Sequence, residues 1–288
     1  MMSLVDTHSH LNFPQYNNDR DDVIRRTLDA GISIINVGCD YNSSCLAALL
    51  AKKYPHGLFS AVGLHPTNVL VGDAGDADID SEHEKEVFDY GEYKALALSS
   101  PKVVAIGETG LDYYWLKEGA EEIIEAQKET FLAHINLAAE LGKPVVIHVR
   151  DKNGSAKAHK DILKILSSYI LNLKSKPRGV IHSFSGTVEQ ARMYRALGFK
   201  IAFNGIITFS RDYDAVVQDT PTEDILLETD CPFLTPEPHR GKRNEPLYVI
   251  EVAKKLAELK GVSYEDAVRQ TTENAKTIFR LIDFRASG

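Results

Sequence analysis

His8 and His10 stand two residues apart in Asp6-Thr7-His8-Ser9-His10, directly after the apolar pair Leu4-Val5. Alternate residues of a strand point the same way, so a strand starting at Leu4 delivers both imidazoles to one face. Two imidazoles on one face are ready metal ligands. Four more ligand-type side chains each close a further apolar run. Glu108 follows Val103 to Ile106, His148 follows Val145 to Ile147, His182 follows Val180-Ile181, and Asp230 follows Ile225 to Leu227. Taken singly, each is equally well explained as a buried polar group satisfied by hydrogen bonding. Taken together they point to one metal centre, because an accidental set has no reason to fall at the C-terminal end of a strand every time.

A set of this size suits two divalent ions joined by a bridging carboxylate, with a hydroxide between them. The fourth strand lies between the two ligand groups around a barrel mouth, which makes Glu108 the expected bridge. His8, His10 and Asp230 are expected on one ion, because the eighth strand of a closed barrel neighbours the first. His148 and His182, on adjacent strands, are expected on the other. Imidazole suits zinc and carboxylate admits magnesium or manganese, so the donor types do not choose among them.

Apolar runs and helical periodicity alternate from end to end. Strands are expected at 4–8, 32–38, 58–64, 102–107, 144–149, 179–183, 199–204 and 225–229. Amphipathic helices are expected at about 20–30, 43–54, 82–99, 120–141, 156–173, 187–197, 211–218, 246–260 and 263–282. Eight strands, each trailed by helix, predict a single (β/α)8 TIM barrel spanning 1–288, with the metal site at its C-terminal mouth. A doubly wound open sheet would use few strand ends at one switch point. The ligand set draws on the first, fourth, fifth, sixth and eighth strands, which only a barrel gathers at one place.

Apolar residues at 43% and charged residues at 26% are ordinary for a globular protein. With 33 Lys and Arg against 41 Asp and Glu, the net charge of −8 excludes a broad basic surface for duplex DNA. A nucleic acid held locally remains compatible, since two divalent ions would bring about +4 into a pocket. Cys39, Cys45 and Cys231 show no CxxC spacing, which predicts free thiols in a reducing compartment. The start runs directly into the first strand and no apolar run reaches the roughly 18 residues of a membrane span. A cytoplasmic protein with no membrane association and no obligate protein partner is therefore expected. The acidic segment 73–86 carries seven carboxylates without EF-hand spacing and is expected to be a solvated loop.

The segments DTHSHLNF, VGLHP, GETGLDYY, PVVIHVRD, IHSFSG, NGIITFS, LLETDCPFL and PHRGKRNEP resemble, in order, the motifs of the TatD family of metal-dependent deoxyribonucleases, within the amidohydrolase-like barrel superfamily. The resemblance covers nearly the whole chain. It implies a divalent-metal phosphodiesterase, typically a 3′→5′ exonuclease preferring single-stranded DNA or RNA. It implies His8, His10, Glu108, His148, His182 and Asp230 as ligands, which coincides with the set read from the strand ends. It also implies a role for His65, in VGLHP, at the substrate phosphate. Cys231 departs from the family pattern, where a small Ala or Ser is usual, and is read as a small buried filler. The third loop is longer than in many relatives.

Further substrate contacts are expected from residues at the same mouth. Arg240, Lys242, Arg243 and Asn244 follow the eighth strand in a loop broken by Pro and Gly. Arg240, as a bidentate phosphate clamp, and Asn244 are favoured because the family motif includes them. Asn204 closes the seventh strand. Tyr113, within Asp112-Tyr113-Tyr114-Trp115, is expected to stack on an unpaired base. His56, His83, His134, His159 and His239 fall on helices or loops and are read as surface or packing residues. In the expected mechanism Asp230, Glu108 and His182 are catalytic: Asp230 takes a proton from the water between the ions, and the hydroxide attacks phosphorus in line. The rival chemistry is hydrolysis of an ester or amide, including removal of D-amino acids from tRNA. Many binuclear members of the superfamily bridge their metals with a carboxylated lysine on the fourth strand, and the Glu108 found there instead favours phosphodiester chemistry.

Overall fold

A computed structural model describes residues 4–70, 85–172 and 177–281. Eight strands form one parallel sheet in sequential order: β1 (Leu4–Ser9), β2 (Ile32–Val37), β3 (Leu58–Val62), β4 (Val103–Asp112), β5 (Val145–Arg150), β6 (Gly179–Ile181), β7 (Phe199–Phe203) and β8 (Ile225–Leu227). The helices between and after them are α1 (Arg20–Asp29), α2 (Tyr41–Lys53), α3 (Tyr90–Leu98), α4 (Glu121–Leu141), α5 (Lys157–Asn172), α6 (Val188–Ala196), α7 (Asp214–Asp219), α8 (Val249–Lys260) and α9 (Tyr264–Phe279). The expected (β/α)8 TIM barrel is the architecture found. The acidic segment lies almost wholly outside the described residues, as does the start of the helix expected at 82–99. The described part of that helix is α3.

The seam between β8 and β1 is closed by a few specific bonds beyond the short β8 ladder. The Asp230 amide donates to the His8 carbonyl at 2.9 Å, and the His10 amide donates to the Cys231 carbonyl at 2.9 Å. Asp6 accepts from the Thr229 amide at 2.8 Å and from its hydroxyl at 2.6 Å. Cys231 is fully buried beside Leu11 and Tyr16, as a small filler would be.

β4 departs most from the sequence reading, since it continues to Asp112 instead of ending at 107. Its register against β5 shifts between Ile106 and Thr109, around Glu108. Gly110, at φ 144°, makes this close approach possible, because a Cβ there would overlap the His148 carbonyl oxygen. Gly107 and Gly110 both lie where a Cβ would strike the β5 backbone, so they permit close contact with β5.

The barrel interior is packed. Val5, Ile35, Phe59, Val104, Val146, Val180, Ala202 and Leu226, from all eight strands, cluster with Ala275, Ile278 and Phe279 of α9. One face of α4 holds two loops at the opposite end. Gln127 accepts from the Asp112 amide at 3.0 Å and donates to the Pro66 carbonyl at 3.1 Å. Two turns along, His134 Nε2 accepts from the Leu64 amide at 3.0 Å.

Candidate metal centre

Glu108 sits at the centre of the mouth, with its two carboxylate oxygens turned to different partners. Oε2 faces β1, 3.3 Å from His8 Nε2 and 3.8 Å from His10 Nε2. Oε1 faces β5 and β6, 2.9 Å from His148 Nδ1 and 3.2 Å from His182 Nε2. Asp230 Oδ1 completes the first group, 3.5 Å from His10 Nε2 and 3.9 Å from His8 Nε2. All six residues expected as ligands converge here. His8 and His10 lie by one Glu108 oxygen and His148 and His182 by the other, but the two groups are not separate: His182 also clusters with His8 and Asp230 and stacks on His8 with ring centroids 3.6 Å apart.

The donor set fits divalent cations by its chemistry. The Nε2 atoms of His8 and His10 face each other at 3.1 Å, beside buried carboxylates. Three of the four imidazoles have their outer nitrogen on an oxygen partner, the arrangement that points an unprotonated nitrogen at a metal. His10 Nδ1 lies 3.0 Å from the Val37 carbonyl, His148 Nε2 lies 2.9 Å from Asp112, and His182 Nδ1 lies 3.0 Å from Glu228. His8 Nδ1 has no hydrogen-bond partner among the described residues.

The carboxylates and imidazoles of the site set one another's charge, and a cation would have to displace the protons that His148 and His182 otherwise hold. Burial pushes the Glu108 carboxyl up, but His182, His65 and His8 outweigh it and hold the group well below its usual range. Burial likewise opposes ionisation of Asp230, and His182 with the His10 hydrogen bond holds it low. Desolvation and the adjacent His182 depress His8. Against the desolvation cost, the Asp112 and Glu108 hydrogen bonds raise His148 to about 9. Against the same cost, Glu228 and Glu108 raise His182.

Above the ligands opens a cavity of about 750 Å³. His65 lines it, with Nε2 3.6 Å from Glu108 Oε1. Its Nδ1 accepts from the Thr67 amide at 3.2 Å, so Nε2 carries the proton. Burial depresses its pKa to about 3 and keeps the ring neutral. Asn204 stands one layer behind the cavity wall. Its Nδ2 donates to the Ser183 hydroxyl at 2.8 Å, and Ser183 lines the wall.

The other expected substrate residues do not reach the cavity. Tyr113 is buried, and its hydroxyl donates to Asp161 at 3.0 Å. Arg240 lies 3.9 Å over Phe209 and donates to the Thr235 carbonyl at 2.7 Å. Asn244 is fully buried and donates to the Thr229 carbonyl at 2.9 Å and to the Phe233 carbonyl, which braces the loop after β8. In their place the structure brings Trp115, Arg150 and Phe233 to the wall. Two buried carboxylates, Asp112 and Glu228, were also missed by the sequence reading. A faint signal existed for each: Glu228 is two residues from Asp230, and Asp112 is four residues from Glu108.

Comparison with known proteins agrees with this geometry. The family model described as TatD related DNase matches residues 5–280. The chain is 39% identical over 281 residues to an uncharacterized metal-dependent hydrolase, YabD, of Bacillus subtilis, covering 96% of this chain and 99% of that protein. It is 33% identical over 286 residues to the 3′-5′ ssDNA/RNA exonuclease TatD of Erwinia billingiae, covering 96% of this chain and 99% of the relative. Among solved structures it resembles YjjV, a TatD homolog from Escherichia coli, at 27% identity and a TM-score of 0.79, covering 98% of this chain and all of that one. Matched from the first strand to the last helix, the chain belongs to the TatD family of metal-dependent hydrolases.

Proposed function

We propose that this protein is a metal-dependent phosphodiester hydrolase that shortens single-stranded DNA, and RNA by the same chemistry, from the 3′ end. The observation that carries this reading is the two-faced Glu108 below an open cavity, with His8, His10 and Asp230 by one oxygen and His148 and His182 by the other. These residues would hold two divalent ions, with magnesium, manganese and zinc all compatible with the donors. Bound there, the ions would lower the pKa of a water to about 7 and offset phosphate charge. The Erwinia relative's name supports a nucleic-acid substrate.

The chain's own groups supply the remaining steps. Asp230, kept ionised by His182 and His10, accepts the proton of the attacking water as its oxygen bonds to phosphorus. The P–O3′ bond to the preceding nucleotide breaks, and the departing 3′-oxygen takes a proton back from Asp230 or from solvent. His65 donates its Nε2 hydrogen to a non-bridging phosphate oxygen, the tautomer being fixed by the Thr67 amide. Glu108 keeps the two histidine groups at a set separation and His182 completes the second group, so both act on the same phosphate.

The test is to strip the protein with chelator and incubate it with 5′-labelled single-stranded DNA, with and without Mg²⁺, Mn²⁺ or Zn²⁺. The expected result is a metal-dependent ladder shortening from the 3′ end that Glu108→Ala, lacking the carboxylate between the two histidine groups, does not produce. Absence of cleavage under every metal would reject the nuclease reading and direct the assay to ester substrates such as D-aminoacyl-tRNA.

A further inference from the structure

We infer that Arg150, Trp115 and Phe233 line the cavity as a binding path for unpaired nucleotides, and that this path selects single strands. Arg150 takes a phosphate, and the two aromatic rings, on opposite sides of the mouth, each offer a face to an unstacked base. The inference rests on the nuclease reading above and names the residues that would give it strand selectivity.

Arg150 is the sole Lys or Arg among the described residues lining the cavity. Its guanidinium lies 3.9 Å over the Tyr114 ring and 5.5 Å from the Trp115 ring, with no carboxylate in ion-pair reach among the described residues. Stacking occupies the flat face of a guanidinium and leaves its N–H edge free for a bidentate oxyanion. An arginine with no carboxylate partner among the described residues, lining one cavity with a buried acidic cluster in a chain of net charge −8, suits an anionic ligand.

The aromatic side chains supply the second observation. Trp115 is 55% exposed and Phe233 is 49% exposed, although both line the cavity. They sit in the loops after β4 and β8, four strands apart and therefore on opposite sides of the eight-stranded barrel. Both loops are braced before any ligand arrives. The Tyr114 amide donates to Asp112 Oδ1 at 2.9 Å, and Tyr113 is tied to Asp161. The Phe233 amide donates to the Asp230 carbonyl at 3.0 Å, and its ring meets the edge of Phe13 at 6.3 Å. Aromatic faces accept any base because every base has a π-face, but only when it is unstacked. The subsite is therefore sequence-tolerant, and a blunt duplex must fray to enter it.

Trp115 is the single tryptophan of the chain, so intrinsic fluorescence reports on it directly. Metal-loaded enzyme is titrated with oligothymidylate carrying cleavage-resistant phosphorothioate linkages, with the blunt duplex, and with a strand whose 3′-terminal nucleotides are abasic. Saturable quenching by the single strand alone is expected. In turnover assays Trp115→Ala and Phe233→Ala should each raise KM for the single strand roughly 5- to 100-fold. Wild type and variant should converge on the abasic strand. Arg150→Ala should weaken binding to both strands. Circular dichroism checks the variants, and Phe233→Leu repeats the test with less disturbance of packing. Cleavage of single strands with silent fluorescence and KM within twofold in Trp115→Ala would overturn the subsite and leave the nuclease reading standing. Equal quenching by the blunt duplex would also overturn it. Failure of the wild type to cleave any nucleic acid would remove both.

Discussion

An imidazole offers a metal one nitrogen most effectively when its other nitrogen is given an acceptor. Asp112 does this for His148 and Glu228 does it for His182, across 36 and 46 residues of sequence. Replacing either carboxylate with its amide, in Asp112→Asn or Glu228→Gln, should weaken metal affinity about 10- to 100-fold, with activity recovering at high metal. Calorimetric titration of Mn²⁺ or Zn²⁺ into the stripped variants checks this, and unaltered affinity would show that the carboxylates do not orient the rings. The six converging donors were legible in the sequence because metal ligation admits few residue types and each closes an apolar run. Asp112 and Glu228 were not, because their contribution depends on which ring they meet after folding. Tyr113 and Trp115 illustrate a related limit. They are two residues apart in one turn, yet the first is buried on α5 and the second faces the cavity, and no periodicity specifies where turn side chains point.

Strands and helices were legible wherever one face is consistently apolar, which is why their order and number carried over to the barrel. β4 was read as ending at 107, where the apolar run stops, whereas it continues to Asp112 with its glycines in close contact with β5. The helices also carry two histidines with a measurable consequence. His134 of α4 and His159 of α5 are buried, and desolvation lowers each from an ordinary 6.5 to about 4. Both are neutral in the folded protein, whereas the unfolded chain protonates them at their ordinary pKa. As pH falls from about 6.5 to 4 the unfolded state therefore binds protons first and stability is lost, by up to roughly 3 kcal/mol per ring. Urea unfolding at pH 7 and pH 4.5 should show this loss, and His159→Phe should show less of it. An identical pH dependence in the two proteins would exclude the ring as a contributor.

On the scale of the whole molecule, a chain of net charge −8 presents one arginine in the described cavity lining. Affinity for single strands should then depend weakly on salt, with a slope of about 0.7 per phosphate neutralised and a total of roughly 1 to 2. Measuring KM over a tenfold range of KCl tests this, and a slope of five or more would require a basic surface elsewhere. The same scale gives meaning to the packed barrel interior, where residues from every strand and the end of α9 close the space beneath the ligands. The cavity has a floor, so no strand passes along the barrel axis. Under the proposed 3′-end chemistry, turnover would follow the number of free ends in solution and be indifferent to total length. A covalently closed single-stranded circle should outlast its linear counterpart of the same sequence, and one nick should be enough to expose it to digestion.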